Sequence, residues 1–301
     1  MLFNEAWFVH ALNAEVDLLA QQLDQATRGS YRVKEGVDGK TWPFNLIAPA
    51  RMSPIARDAD TVYVNPNQTK RRAQLVDRGV AALVDELDKI KTPADLDSAV
   101  IETLAAAKNR EKDVICLTAA LGNAITVDEA GEVTGLAALP GSQLIANGGT
   151  GLTVAKILQA NEIMNAANVP RRDRYFYYSA QAMTDLLQNT QVTSADFNTI
   201  RALAHGGFDD DESWMNFRWR MVAGFIDEAQ TIPILPKTGN IRTCIAWQKN
   251  GIGVATGLDK SVETMVAPHK WGNQQILLKL SMGAVRIQDP YVVSVAIDES
   301  V

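Results

Sequence analysis

Gly39-Lys40-Thr41 offers the closing half of a phosphate-binding loop. Such a loop presents backbone N–H groups and a lysine to phosphate, and it needs a glycine five residues before Gly39. Lys34 stands there, and the flanks read as hairpin rather than strand-to-helix. Gly149 and Gly151 open a predicted helix as a dinucleotide-binding turn would, but Val154 occupies the third glycine position. That cluster reads as a flexible crossing between domains. His10, His205 and His269 have no cysteine or carboxylate at ligand spacing. His205 follows a predicted helix, whose negative end favours a cation. No G-x-S-x-G or H-E-x-x-H pattern exists. Asp209-Asp210-Asp211-Glu212 resembles a hard-cation loop, but Trp214 stands where an EF-hand needs glycine. The run reads as a solvated acidic loop, with Lys70-Arg71-Arg72 or Arg171-Arg172 as ion-pair partners across subunits. Arg171-Arg172-Asp173-Arg174 lacks the outward aromatics of a nucleic-acid groove and reads as a solvated or inter-subunit loop. These residues point away from catalysis, with no metal and no cofactor expected.

Composition agrees with that direction. A chain of 301 residues is long enough for two cores, and 47% hydrophobic with 21% charged residues is ordinary for a soluble globular protein. The net charge of −6 opposes a dedicated nucleic-acid binder. Cys116 and Cys244 sit on distant apolar segments and read as buried thiols of a reducing compartment. The N-terminus lacks the basic start and apolar core of a signal peptide, and no stretch is long enough to span a membrane. A soluble protein made in the cytosol is expected.

The elements follow from start and stop signals. Residues 3 to 26 predict an amphipathic helix, with Phe8, Leu12, Leu19 and Leu23 at helical spacing. Residues 29 to 69 are too apolar for a solvated linker and, with Pro43, Pro49, Pro54 and Pro66, too punctuated for a regular core element. Asp38-Gly39 signals a turn there. Exposed apolar surface marks interaction sites, so an extended hairpin lying on a neighbouring subunit is expected; the alternative is an excursion packed on its own domain. Strand follows over 70 to 83. A helix over 93 to 121 has Thr92 as cap, Pro93 at its first position, Asp95 completing a capping box and Gly122 as terminator. Its roughly 29 residues make a rod of about 44 Å, and Leu104 and Ile115 are expected to pack on the closing strands. Residues 126 to 149 read as a loop or small hairpin.

From Gly149 to Gly206 the signals are dense. Thr153 caps a helix that Asn168 and Pro170 stop, Tyr175 to Tyr178 form an aromatic strand, and Ser179 caps the next helix. Thr193 and Asp196 open a helix that runs through Leu203. Strands are predicted near 242–248, 251–256, 275–287 and 291–297, with turns at Asn250-Gly251 and Asp289-Pro290. Gly283 predicts a bulge or sharp bend.

The ordered blocks "GLT" at 151, "NVP" at 168 and "TSADFNTIRALAHG" at 193 resemble the axial domain of tailed-phage major capsid proteins of the Hong Kong 97-type fold. "AALGNA" after the long helix and "LSMGAVRIQDPYVVSVAID" at the end are similar to that family's peripheral domain. The resemblance implies an α+β fold with an N-terminal arm (1–28) and an extended hairpin loop (29–75). It also implies a peripheral domain (76–125 and 260–301) with a spine helix (93–121), and an axial domain (126–259). It implies no enzyme, but self-assembly into pentamers and hexamers of an icosahedral shell around double-stranded DNA, in a virion assembled in the host cytoplasm. Portal, scaffold or cement proteins are the further partners, and the DNA is contacted weakly and without sequence specificity. Contact candidates are Trp42, Phe44, Ile47, Arg51, Arg57, Arg71 and Arg72, with Asp209 and Asp211. The alternatives are an encapsulin-like nanocompartment shell and, from another class, an α/β enzyme with an unrecognised site.

Overall fold

A computed structural model describes residues 24–52, 54–55, 57, 60–61, 63–85, 96–128, 130–188, 213–222, 225–226, 231–232, 235–260 and 262–300. Strands β1 (Arg32–Glu35), β2 (Thr41–Ile47), β3 (Gln68–Gln74) and β4 (Val76–Val84) precede the long helix α1 (Leu96–Leu121). A hairpin, β5 (Ala124–Val127) and β6 (Val133–Ala137), leads through β7 (Leu144–Ile145) to helix α2 (Val154–Ala166). Then come β8 (Arg174–Tyr178) and helix α3 (Ala180–Gln188). Short strands β9 (Ser213–Trp214), β10 (Phe217–Met221), β11 (Phe225–Ile226), β12 (Thr231–Ile232) and β13 (Lys237–Thr238) follow. The chain closes with β14 (Ile241–Gln248), β15 (Ile252–Asp259), β16 (Glu263–Val266), β17 (Gln274–Arg286) and β18 (Val292–Asp298).

These strands build three main sheets. A seven-stranded sheet has the order β7-β18-β14-β8-β10-β9, with β13 also on β14. Its central β8 is buried on both faces, because Phe176 and Tyr178 point to α2 and α3 while Tyr175 and Tyr177 point to α1. A strand covered on both sides needs apolar residues in sequence rather than in alternation. A five-stranded sheet joins β1, β15, β17 and β16, with β4 on the other edge of β17. The helix α1 lies along β17, where buried Leu104 meets Ile276 and Leu278 as expected. Ile115 is half-buried against the core shared by the two large sheets. The third sheet, β2-β3-β5-β6, packs its root across β15 and β17.

Local signals in the best-marked segment act as read. The Thr153 hydroxyl accepts the Lys156 N–H, and the Ser179 hydroxyl accepts the Ala182 N–H. At the end of α2, Asn168 takes φ +55°, its N–H reaches the Asn165 carbonyl and the Val169 N–H reaches Met164. That is a Schellman closure with asparagine in the left-handed position. The described part of the long helix ends as expected, with the Gly122 N–H on the Thr118 carbonyl. Thr92, Pro93, Asp95 and the helix opened by Thr193 lie outside the described residues, as does the arm up to residue 23.

Five readings change. β15, expected in the axial part, pairs with β17; β18, expected beside the spine, lies in the seven-stranded sheet. The chain crosses between sheets at two adjacent 3-10 turns, 249–251 and 289–291, where the Ile287 N–H donates to Gly251 O and Gly251 abuts Tyr291. Residues 124 to 137 form a hairpin, but it extends the β2–β3 sheet. Gly283 sits in regular pairing with Ala255, and the bulge lies opposite, between Thr256 and Leu258. Glycine is required at 283 because a Cβ would lie 2.1 Å from the Gln74 carbonyl oxygen. Finally, Arg174 is not a solvated loop residue: it is buried, donating to the carbonyls of Val169 and Pro170 and to Asn161 and Asn165.

Candidate assembly surface

The β2–β3 hairpin has two chemically different ends. At the root, Phe44 is only 6% exposed and packs with Val37, Ala73, Leu75, Val285 and Ile287. Its ring fills the space above Gly253, where a Cβ would come within 2.7 Å of the ring. Trp42 is half-buried beside this cluster, with the Lys34 ammonium 5.0 Å above its ring. Phe44 is thereby withdrawn from the contact candidates, and the expectation that the segment has little core of its own holds only for its far end. The physical reason is that β5 and the five-stranded sheet supply the missing core from distant sequence.

Arg71 and Arg72 also serve the root. Arg71 donates twice to the Asp289 carboxylate, at 2.8 and 2.6 Å, and once to the Arg286 carbonyl. Arg286, fully buried, donates Nε to Asp289 and its remaining nitrogens to the carbonyls of Ala120, Gly122 and Ala137. Burial by itself would raise the Asp289 carboxyl, but hydrogen bonds and charge from Arg71 and Arg286 hold it below the usual carboxylate range. One carboxylate and two guanidiniums thus tie hairpin, α1 terminus, β6 and β17 together. Arg72 donates to the Gly131 carbonyl across the same small sheet. The acidic run at 209–212, expected to pair with these arginines across subunits, lies outside the described residues.

Beyond Ile47 and Gln68 the character inverts. Ile47, Met52, Ile55, Tyr63 and Val64 are exposed, Met52 at 96% and Tyr63 at 90%. Arg51 and Arg57 are exposed among them. Of the predicted contact residues, the structure therefore gathers Ile47, Arg51 and Arg57 at the far end and Trp42, Phe44, Arg71 and Arg72 at the root. Asp209 and Asp211 lie outside the described residues. A second apolar exposure was missed. In the turn between β16 and β17, Trp271 is 100% exposed with φ +57°, near exposed Met265 and Val266. The adjacent Trp271-Gly272 pair was the available signal, since glycine there closes a tight turn.

Chemical machinery is scant beside this surface. Among the described residues no three His, Cys, Asp or Glu side chains cluster as a metal site, and no helix is long and apolar enough to cross a membrane. Both cysteines are free and buried, and burial pushes each thiol up to about 12.

An exposed apolar surface of this kind marks an interaction site. A sequence profile described as "Phage capsid protein" matches residues 5–299. The chain belongs to the phage capsid protein family. It is a bacteriophage shell component, a structural protein and not an enzyme. No curated protein matches the sequence. Among solved structures, the capsid of Cyanophage P-SCSP1u is similar at 15% identity, covering 97% of this chain and 94% of that one, with a TM-score of 0.66. The capsid of Ralstonia phage GP4 is similar at 13% identity, over 95% and 94%, with a TM-score of 0.68. A chain of Mycobacterium phage Che8 is similar at 14% identity, over 100% and 99%, with a TM-score of 0.66. The capsid family member thus has the α+β, Hong Kong 97-type fold.

Proposed function

We propose that this protein is the major capsid protein that assembles as pentamers and hexamers into an icosahedral head around double-stranded DNA. The observation that carries the reading is the hairpin: its root is fixed to its own subunit while its far end exposes an apolar surface. In this scheme the five-stranded sheet with α1 is the peripheral domain, the seven-stranded sheet with α2 and α3 the axial domain, and β2–β3 the extended loop. Residues 1–28 are the arm. Copies of the chain are the principal partners, joined by portal and by scaffold or cement proteins, in a virion assembled in the host cytoplasm. Ile47, Arg51 and Arg57 remain contact candidates; Ile55, Tyr63 and Trp271 join them. The family match favours a phage head over a cargo-enclosing nanocompartment.

Charge at the hairpin's far end tests this. Tyr63→Asp combined with Ile55→Asp should leave the subunit's melting curve unchanged, because neither side chain is buried in it. Closed particles should disappear in electron micrographs, since anchors buried at an interface commonly contribute ~2 kcal/mol or more each. Normal particles from the double variant would remove the hairpin from the contact.

A further inference from the structure

We propose that the turn at residues 170–174, together with Lys249, is a docking surface for the phosphate backbone of duplex DNA. This rests on the shell reading above and names where its DNA partner is touched. The backbone of the surface is fixed. Asp173 takes φ +55°, its carbonyl accepts the Lys249 N–H at 3.0 Å, and the Arg172 carbonyl accepts Gln248 Nε2 at 3.3 Å. The side chains of Arg171, Arg172 and Lys249 are exposed, and among the described residues none of the three forms an ion pair. Arg218, one strand away on β10, faces the Asp173 carboxylate at 3.6 Å. Beneath them Arg174 is buried on four neutral acceptors, so among the described residues its permanent charge meets no carboxylate. These five cations stand against the one carboxylate of Asp173 at one end of the seven-stranded sheet, where Asp289 in the adjoining turn is already taken by Arg71 and Arg286, in a chain whose net charge is −6.

Phosphate suits this surface better than a protein partner does. Guanidinium forks match phosphate oxygens, and a rigid backbone lowers the entropy lost on docking. Protein interfaces centre on a buried aromatic or aliphatic anchor. Pro170 to Asp173, Lys249 and Asn250 include no large apolar side chain; the exposed Leu158 lies on α2, outside the turn. The surface supplies three cations that form no ion pair among the described residues, so contact with DNA is weak, independent of base sequence and readily dissolved by salt.

The test uses the full-length subunit and a 20-base-pair duplex, followed by fluorescence anisotropy from 50 to 200 mM salt. With three phosphates neutralised, wild-type affinity should fall about 40-fold across that range, since the logarithmic slope is about −0.9 per contact. Arg171→Gln/Arg172→Gln/Lys249→Gln should bind at least tenfold more weakly at 50 mM, with a slope smaller by about 2 to 3. Arg171→Gln/Arg172→Gln alone should lose about two-thirds of that slope change. Removing three exposed cations elsewhere, as Arg32→Gln/Lys40→Gln/Lys279→Gln, should leave the wild-type slope. The proposal is overturned if the triple variant binds as wild type does, or if the control variant loses as much. It is also overturned if an oligoglutamate peptide binds the surface and the duplex does not, or if either glutamine variant melts lower or fails to form particles. Whether wild type forms particles is scored separately, so failure of the shell reading is distinguishable from failure of this one.

Discussion

Asp289→Asn removes the one charge shared by Arg71 and Arg286 while keeping the side chain's shape. The carboxylate accepts three guanidinium hydrogen bonds of 2.6 to 2.8 Å, and its partners are 11% and 0% exposed at their side chains. Breaking a buried pair by neutralising one partner typically costs about 3 to 5 kcal/mol, because the other charge stays buried. Asp289 itself is 20% exposed, and asparagine keeps one acceptor oxygen, so about 2 to 4 kcal/mol is expected here. For a chain of this size that lowers the melting temperature by about 4 to 10 °C. The same carboxyl sets a pH signature. Its folded pKa lies below the ordinary value, so its contribution is complete above about pH 4 and is lost as pH falls through the depressed value. Thermal denaturation of subunits at neutral pH and at a series of pH values below about 4 measures both effects. The variant should differ from wild type at neutral pH, and the difference should shrink steadily as the pH falls below the ordinary carboxylate value. A neutral-pH difference under about 0.5 kcal/mol, or a difference that grows as the pH falls, would refute the account of the hub. A double-mutant cycle with Arg71→Met adds a coupling energy, which should be well above the roughly 0.5 kcal/mol of independent sites.

Leu104→Ala should destabilise the subunit by about 2 to 4 kcal/mol in chemical denaturation, because the side chain is buried against Ile276 and Leu278. Gly283→Ala should cost about 2 to 3 kcal/mol, since the Gln74 backbone cannot yield as a flexible side chain would; an unchanged midpoint would mean the root does not approach β17 so closely. With both thiols pushed up to about 12, native protein at pH 8 should resist iodoacetamide, while denaturant should expose both for alkylation.

Much of the architecture was legible because it is locally encoded. Thr153, Asn168 and Ser179 act through contacts within five residues, so caps and stops could be placed without knowledge of the fold. Strand partners are not encoded that way. β14 and β15 are separated by a single 3-10 turn yet serve different sheets, and β17 and β18 repeat the crossing. Nothing in the alternation of either pair announces the change of sheet. What fixes it is the contact of Gly251 with Tyr291, a pairing across forty residues of intervening chain. Gly283 shows the same limit. A glycine in a strand signals close approach or a bulge, and only the position of Gln74 decides between them.

The contact surface was legible as a region but not residue by residue. Residues 29 to 69 mix proline with large apolar side chains throughout, so composition marks the whole segment as unusual and cannot divide it. Phe44 and Tyr63 are equivalent by that measure, yet one is buried and the other almost wholly exposed. The division comes from a strand about two hundred positions away. Gly253 leaves room for the Phe44 ring, and Asp289 recruits Arg71, so the root is held by groups the segment does not contain. Past Ile47 the five-stranded sheet offers no such partner among the described residues. An apolar surface left uncovered among the described residues is stabilised by burial elsewhere, and in the assembly we propose it is buried on a further copy of the chain.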